Sequence, residues 1–143
     1  MPSIIEERAS ALIKSYNSGN IEVIMDLFAE DVKVSDFLMR AIDLDKAGTR
    51  PFFGGFVTDN ENVTFYTRGV TGSREFVAHE MTIEFRSGGD IESIGIVKGQ
   101  SVRLVGVSVQ SWRKERRSED DDVAGAWKIF DMKDYFFIDR GST

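Results

Sequence analysis

The chain has 143 residues, 41% of them apolar and 11% aromatic, which suits one domain built around a single hydrophobic core. Eighteen basic residues against 24 acidic ones leave a net charge of -6, a sign that opposes unassisted binding to nucleic acid or to a membrane surface and favours a small neutral partner. With no cysteine and one histidine, the composition excludes disulfides, thiolate catalysis and histidine-rich zinc sites, so that any metal would need carboxylate ligands; neither a metal nor a cofactor is expected.

Ile5, Ala9, Leu12 and Tyr16 recur at helical spacing, and Ser3 followed by Glu6 forms a capping-box pattern at the start of that helix. The helix should stop at Asn17-Ser18-Gly19, and Asn20 can cap a short second helix whose buried stripe is Ile21, Ile24, Leu27 and Phe28. From Asp31 the period changes to two, so that Val32, Val34 and Asp36 share one face of a strand. A carboxylate thereby falls among valines. Residues 38–57 combine Gly48, Pro51, Gly54 and Gly55, which weaken a helix interior, with Phe52, Phe53 and Phe56, which demand burial. They read as a loop and then a short helix capped by Thr49, with Pro51 tolerated in its first turn.

Four long strands follow, over residues 62–70, 74–86, 101–115 and 126–138, separated by Gly-rich or charged turns. Successive long strands imply an antiparallel meander. In the second of them Val77, His79, Met81, Ile83 and Phe85 alternate with Ala78, Glu80, Thr82 and Glu84, which puts the histidine on the apolar face. The mixed charges of residues 113–122 suit a solvated hairpin tip. No apolar stretch approaches the roughly 20 residues of a membrane-spanning helix, and residues 1–8 lack a secretory pattern, so a cytoplasmic protein is expected. Asn62-Val63-Thr64 fits a glycosylation acceptor and is read as chance.

Several local runs, taken in order, resemble the nuclear transport factor 2-like superfamily in its SnoaL-like and ketosteroid-isomerase-like branches. They are Tyr16-Asn17-Ser18-Gly19-Asn20, Leu27-Phe28-Ala29-Glu30-Asp31, Val34-Ser35-Asp36, Gly48-Thr49 before Phe52-Phe53, and Trp127-Lys128-Ile129 with Asp134-Tyr135. The resemblance covers nearly the whole chain and implies an α+β fold, with N-terminal helices closing a curved antiparallel sheet into a cone around an apolar pocket. It places the isomerase general base at Asp36. The isomerase oxyanion tyrosine falls at Leu12, which cannot donate, and the partner aspartate falls near Gln110, which keeps an amide donor. In SnoaL-like cyclases the corresponding acid/base aspartate lies late in the sheet, and Asp134 is the candidate here.

Asp36, behind two valines, should be partly desolvated, with the raised proton affinity a general base near neutral pH requires; the competing reading is an ordinary strand-end aspartate bonded to backbone N–H groups. Asp134 alternates with Phe130, Met132 and Phe136, and on the pocket face it would be a second carboxylate able to divide acid and base roles with the first. His79 is the imidazole available for proton shuttling, or a hydrogen-bonded core residue. Gln110 and Trp112 share a face and are candidates for substrate contact, as are Tyr16 and Phe53 at the pocket wall. Arg40 could assist carboxylates in activating water.

Two classes of function fit this set. One is a cofactor-independent isomerase or cyclase, with dehydratase and epoxide hydrolase as variants, acting on an apolar polycyclic polyketide or terpenoid intermediate of secondary metabolism. The other is a non-catalytic binding or dimerisation module, whose pocket would be filled by aromatic side chains. A homodimer is expected in either case, because Val105, Val107 and Val109 give the sheet a second semi-apolar face.

Overall fold

The computed structural model describes residues 3–115 and 127–140. Helix α1 (Ile4–Asn17) starts at a complete capping box: the Ser3 hydroxyl accepts from the Glu6 N–H and the Glu6 carboxylate accepts from the Ser3 N–H. Arg8, Ala9, Leu12 and Tyr16 form its buried stripe. Asn20 caps the short α2 (Ile21–Met25) by accepting from the Glu22 and Val23 N–H groups. The next strand, β1 (Phe28–Asp36), begins three residues earlier than its period-two pattern suggests, because Phe28 and Ala29 are both buried at its start.

Residues 38–57 differ from expectation. A four-residue edge strand, β2 (Ala41–Leu44), precedes α3 (Lys46–Asp59), a helix of 14 residues capped by Asp45 and not by Thr49. The Asp45 carboxylate accepts from the Gly48 N–H at 2.8 Å, and Thr49 lies fully buried one turn inside, its hydroxyl donating to the Asp45 carbonyl. Pro51 therefore sits in the second turn. Burial of the phenylalanines outweighs the weak local propensity: Phe53 packs on Tyr16 and Phe28, and Phe56 on Phe85, with ring centroids 5.4, 5.7 and 4.9 Å apart.

The remaining strands are β3 (Glu61–Gly72), β4 (Phe76–Arg86), β5 (Ser101–Lys114) and β6 (Trp127–Ile138), the antiparallel meander the pattern implies. A 3-10 turn (Glu92–Ile94) interrupts the β4–β5 connection. The meander meets β1 in parallel, giving one curved, unclosed six-stranded sheet of order β2-β1-β6-β5-β4-β3 with the helices packed on its inner face. One bulge matters for the face analysis. Ser111 pairs with Asp131 but Trp112 pairs with Ile129, so Phe130 leaves the inner face and meets Arg113, while Ile129 takes the buried position.

Arg113 also forms a salt bridge with Asp31, and residues 116–122 of the expected charged tip lie outside the described residues. Among the described residues no helix is long and apolar enough to cross a membrane.

Candidate active site

Between the helices and the inner face of the sheet lies a cavity of about 370 Å³, a volume suited to a small organic ligand. Its wall is mostly apolar: Tyr16 from α1, Phe52, Phe53 and Phe56 from α3, Phe65, Met81, Ile83 and Phe85 from the meander, and Ile91 and Ile94 from the β4–β5 connection. Among the described residues four carboxylates, Asp36, Asp59, Asp90 and Asp134, also line it, and no lysine, arginine or histidine does.

Asp36 and Asp134 are brought together by strand register. β1 and β6 run parallel with Asp36 opposite Asp134, and the Phe37 N–H donates to the Asp134 carbonyl at 3.1 Å. Both side chains open onto the cavity. The inner face of β6 is thus Met132, Asp134 and Phe136, with Tyr135 and Phe137 outside.

The two carboxyl groups have different surroundings. Burial raises the proton affinity of Asp36, and the backbone N–H groups of Met39 and Leu38 oppose that by bonding to the charged form. Asp134, 5% exposed, is pushed up to about 7, first by burial and then by the negative charge of Asp36, against the opposing hydrogen bond of Ser108. Oδ1 of Asp134 is enclosed and has no hydrogen-bond partner of its own. Asp134 can therefore still carry its proton near neutral pH, beside a second carboxyl group whose proton affinity is raised by burial.

Tyr16 stands in the same polar corner. Its hydroxyl donates to Met132 Sδ at 3.6 Å, a weak acceptor, and burial together with the charges of Asp134 and Asp36 keeps the phenol protonated well past its usual range. Tyr16 and Phe53 are thus cavity residues, as the sequence suggests.

Four other candidates do not reach the cavity. His79 is fully buried on the inner face of β4, where its Nε2 pairs with Thr67 Oγ1 at 2.9 Å; burial lowers its pKa to about 4, so it is neutral at physiological pH and has no path to a ligand. Gln110 and Trp112 are buried on the sheet's inner face and bond to protein: the Trp112 indole N–H donates to Gln110 Oε1 at 3.0 Å, and Gln110 Nε2 donates to Ser108 Oγ at 3.2 Å. The amide expected to meet a substrate oxygen is already engaged. Arg40 is exposed in the turn after β1, at φ 57°, outside the cavity lining.

Asp59, Asp90 and Ser108 escaped the sequence reading. Ser108 could have been found from its period-two spacing to Gln110 and Trp112, whereas Asp59 and Asp90 enter through a helix end and a loop that carry no period. Among the described residues no group of three or more histidines or carboxylates is placed to hold a metal ion.

No protein-family profile matches the chain. It is 28% identical over 98 residues to the cyclase aurE of Calcarisporium arbuscula, an alignment spanning 67% of this chain and 66% of that protein, just under two thirds of its length. A SnoaL-like polyketide cyclase from Agrobacterium tumefaciens superposes with a TM-score of 0.69 at 12% identity, covering 96% of this chain and 93% of the other. RV0760c from Mycobacterium tuberculosis, in complex with estradiol-17beta-hemisuccinate, superposes at 0.64 with 16% identity over 94% of each chain.

Proposed function

We propose that this chain, whose fold is that of the nuclear transport factor 2-like proteins in their SnoaL-like and ketosteroid-isomerase-like form, is a cofactor-independent isomerase or cyclase working by proton transfer on an apolar polycyclic ligand. The observation that carries this reading is the register-paired Asp36 and Asp134, two carboxyl groups of unequal proton affinity at one end of an apolar cavity. In this scheme the protonated Asp134 donates to a carbonyl oxygen of the ligand while ionised Asp36 removes a proton from the neighbouring carbon. The resulting enol then reketonises, or attacks a second carbonyl carbon to close a ring, returning the proton through the same pair. Tyr16 adds a neutral donor in the same corner, where little water competes with it.

The wall supports a narrower substrate class. An anionic ligand would enter a cavity lined, among the described residues, by four carboxylates and no basic group, so a neutral carbonyl compound of polyketide or terpenoid type fits and a free acid does not. Epoxide hydrolysis assisted by Arg40 loses support, since that side chain is elsewhere. A filled, non-catalytic pocket is likewise disfavoured by the open volume.

The test needs no knowledge of the native substrate. A polycyclic ketone held in the cavity in deuterated water should exchange the hydrogens next to its carbonyl faster than in free solution, followed by proton NMR. Asp36→Asn should abolish the acceleration and Asp134→Asn should reduce it about 10²-fold or more, both with the fold intact. Full exchange with Asp36→Asn would overturn the assignment.

We further propose a homodimer through the outer face of the sheet, where exposed Tyr135 and Phe137 extend the half-buried Val105, Val107 and Val109.

A further inference from the structure

Gln110 and Trp112 lie outside the cavity, yet they are joined to it. Trp112, Gln110 and Ser108 alternate along β5 on its inner face, 3%, 1% and 2% exposed, and Ser108 is the strand partner of Asp134. Their hydrogen bonds run in one direction. An indole N–H can only donate, so Gln110 must present its carbonyl oxygen to Trp112, at 3.0 Å, which leaves the amide nitrogen to face Ser108 Oγ at 3.2 Å. Reversing the amide would leave a buried indole N–H without an acceptor and set the Gln110 NH2 against it. The Ser108 oxygen is thus already receiving a hydrogen, and its own hydrogen is free to point at the carboxyl group across the strand.

We infer that Trp112 and Gln110 are positioning residues whose fixed hydrogen-bond direction holds the Ser108 hydroxyl as a donor to one oxygen of Asp134, so that the acid's proton resides on the other oxygen. Water is excluded from the three side chains, so the direction is set by covalent structure rather than by solvent. The hydrogen bond from Ser108 also opposes the rise that burial imposes on Asp134. The other titratable groups around the carboxyl are Asp36 on β1, Tyr16 on α1 and the neutral His79 on β4 opposite Ser108, with Asp59 and Asp90 in the same cavity wall.

The catalytic benefit rests on the acid role proposed for Asp134, but the direction of the chain does not, and it is measurable without ligand. The infrared C=O band of protonated Asp134, assigned by its absence in Asp134→Asn, is followed through a pH titration of the ligand-free protein. Ser108→Ala should raise the midpoint by about half a pH unit or more, since it removes a donor to the charged form. Trp112→Phe should raise it similarly: the freed Gln110 amide turns its oxygen to Ser108, whose hydroxyl then bonds there instead. Gln110→Met should leave the midpoint near that of the parent, because Ser108 keeps Asp134 as its acceptor. A merely structural role predicts the opposite order, the deeper disruption at Gln110 shifting Asp134 at least as far. A Gln110→Met midpoint that moves as far as that of Ser108→Ala, or a folded Trp112→Phe whose midpoint does not move, overturns the inference. If Trp112→Phe fails to fold, Trp112→Leu, which likewise lacks the indole N–H, takes its place under the same criterion. Should the ketone exchange fail while these shifts appear, the positioning chain stands and the catalytic reading falls.

Discussion

Burial sets the proton affinities of Asp134 and His79 in opposite directions, and each leaves a signature in stability. Asp134 keeps its proton in the folded state from its ordinary value of 3.8 up to about 7, so over that window rising pH favours the unfolded chain. His79 stays neutral in the folded state from 6.5 down to about 4, so over that window falling pH favours the unfolded chain. The two slopes, each up to about 1.4 kcal/mol per pH unit, oppose one another between about pH 4 and 6.5 and should nearly cancel. Asp134→Asn should therefore become less stable as pH falls through this range, and His79→Gln less stable as pH rises, with denaturant midpoints at each pH as the measurement. Slopes unchanged from the parent would show that neither group is buried as described. Asp36 was legible beforehand because three alternating positions end on it. The exclusion of His79 was not, since an apolar face does not say whether a cavity or packed side chains lie beyond it.

The helices and strands express their sequence signals unequally. Capping chemistry is local, and Ser3, Glu6 and Asn20 behave as their types and spacing require. In residues 38–57 the local signals conflict: Asp45 and Thr49 both offer a cap, Pro51 and three glycines speak against a long helix, and the outcome turns on three phenylalanines finding a common wall. Asp45→Ala should cost about 1 kcal/mol and, because α3 carries Phe52, Phe53 and Phe56, should weaken ligand binding more than it slows exchange in the bound state. Gly106 reports on β5 and β6: a Cβ there would lie 2.0 Å from the Tyr135 carbonyl oxygen and 2.8 Å from the Phe136 Cα. Gly106→Ala should force the strands apart beside Ser108 and Asp134, lowering stability by about 3 kcal/mol, read from urea midpoints. The bulge at Phe130 had no sequence signal, because Ile129 and Phe130 are both apolar and either could take the inner face.

At the scale of the molecule, the sheet order puts the first long strand beside the last, so the two carboxyl groups meet only when the whole meander is in place. The same arrangement leaves an outer face with Tyr135 49% and Phe137 62% exposed. Sedimentation should give twice the monomer mass, and Phe137→Asp should return the monomer by setting a carboxylate in the centre of the contact, at unchanged secondary structure. A monomeric parent would remove the dimer from the proposal.

By itself the sequence determined which residues are helix and which strand over most of the chain, because periods of 3.6 and 2 and the caps are properties of neighbours a few positions apart. It also carried Asp36, Tyr16 and Phe53 to the inner side, and left open which face of the last strand, and so of Asp134, lines the pocket. Only the tertiary structure decided that the two aspartates stand opposite one another across β1 and β6 and that Gln110 and Trp112 lie outside the cavity lining. It also decided that Arg40 turns away and that α3 reaches back to Lys46. These depend on strand register, one bulge and the volume left between helix and sheet, all set by contacts between residues far apart in the chain.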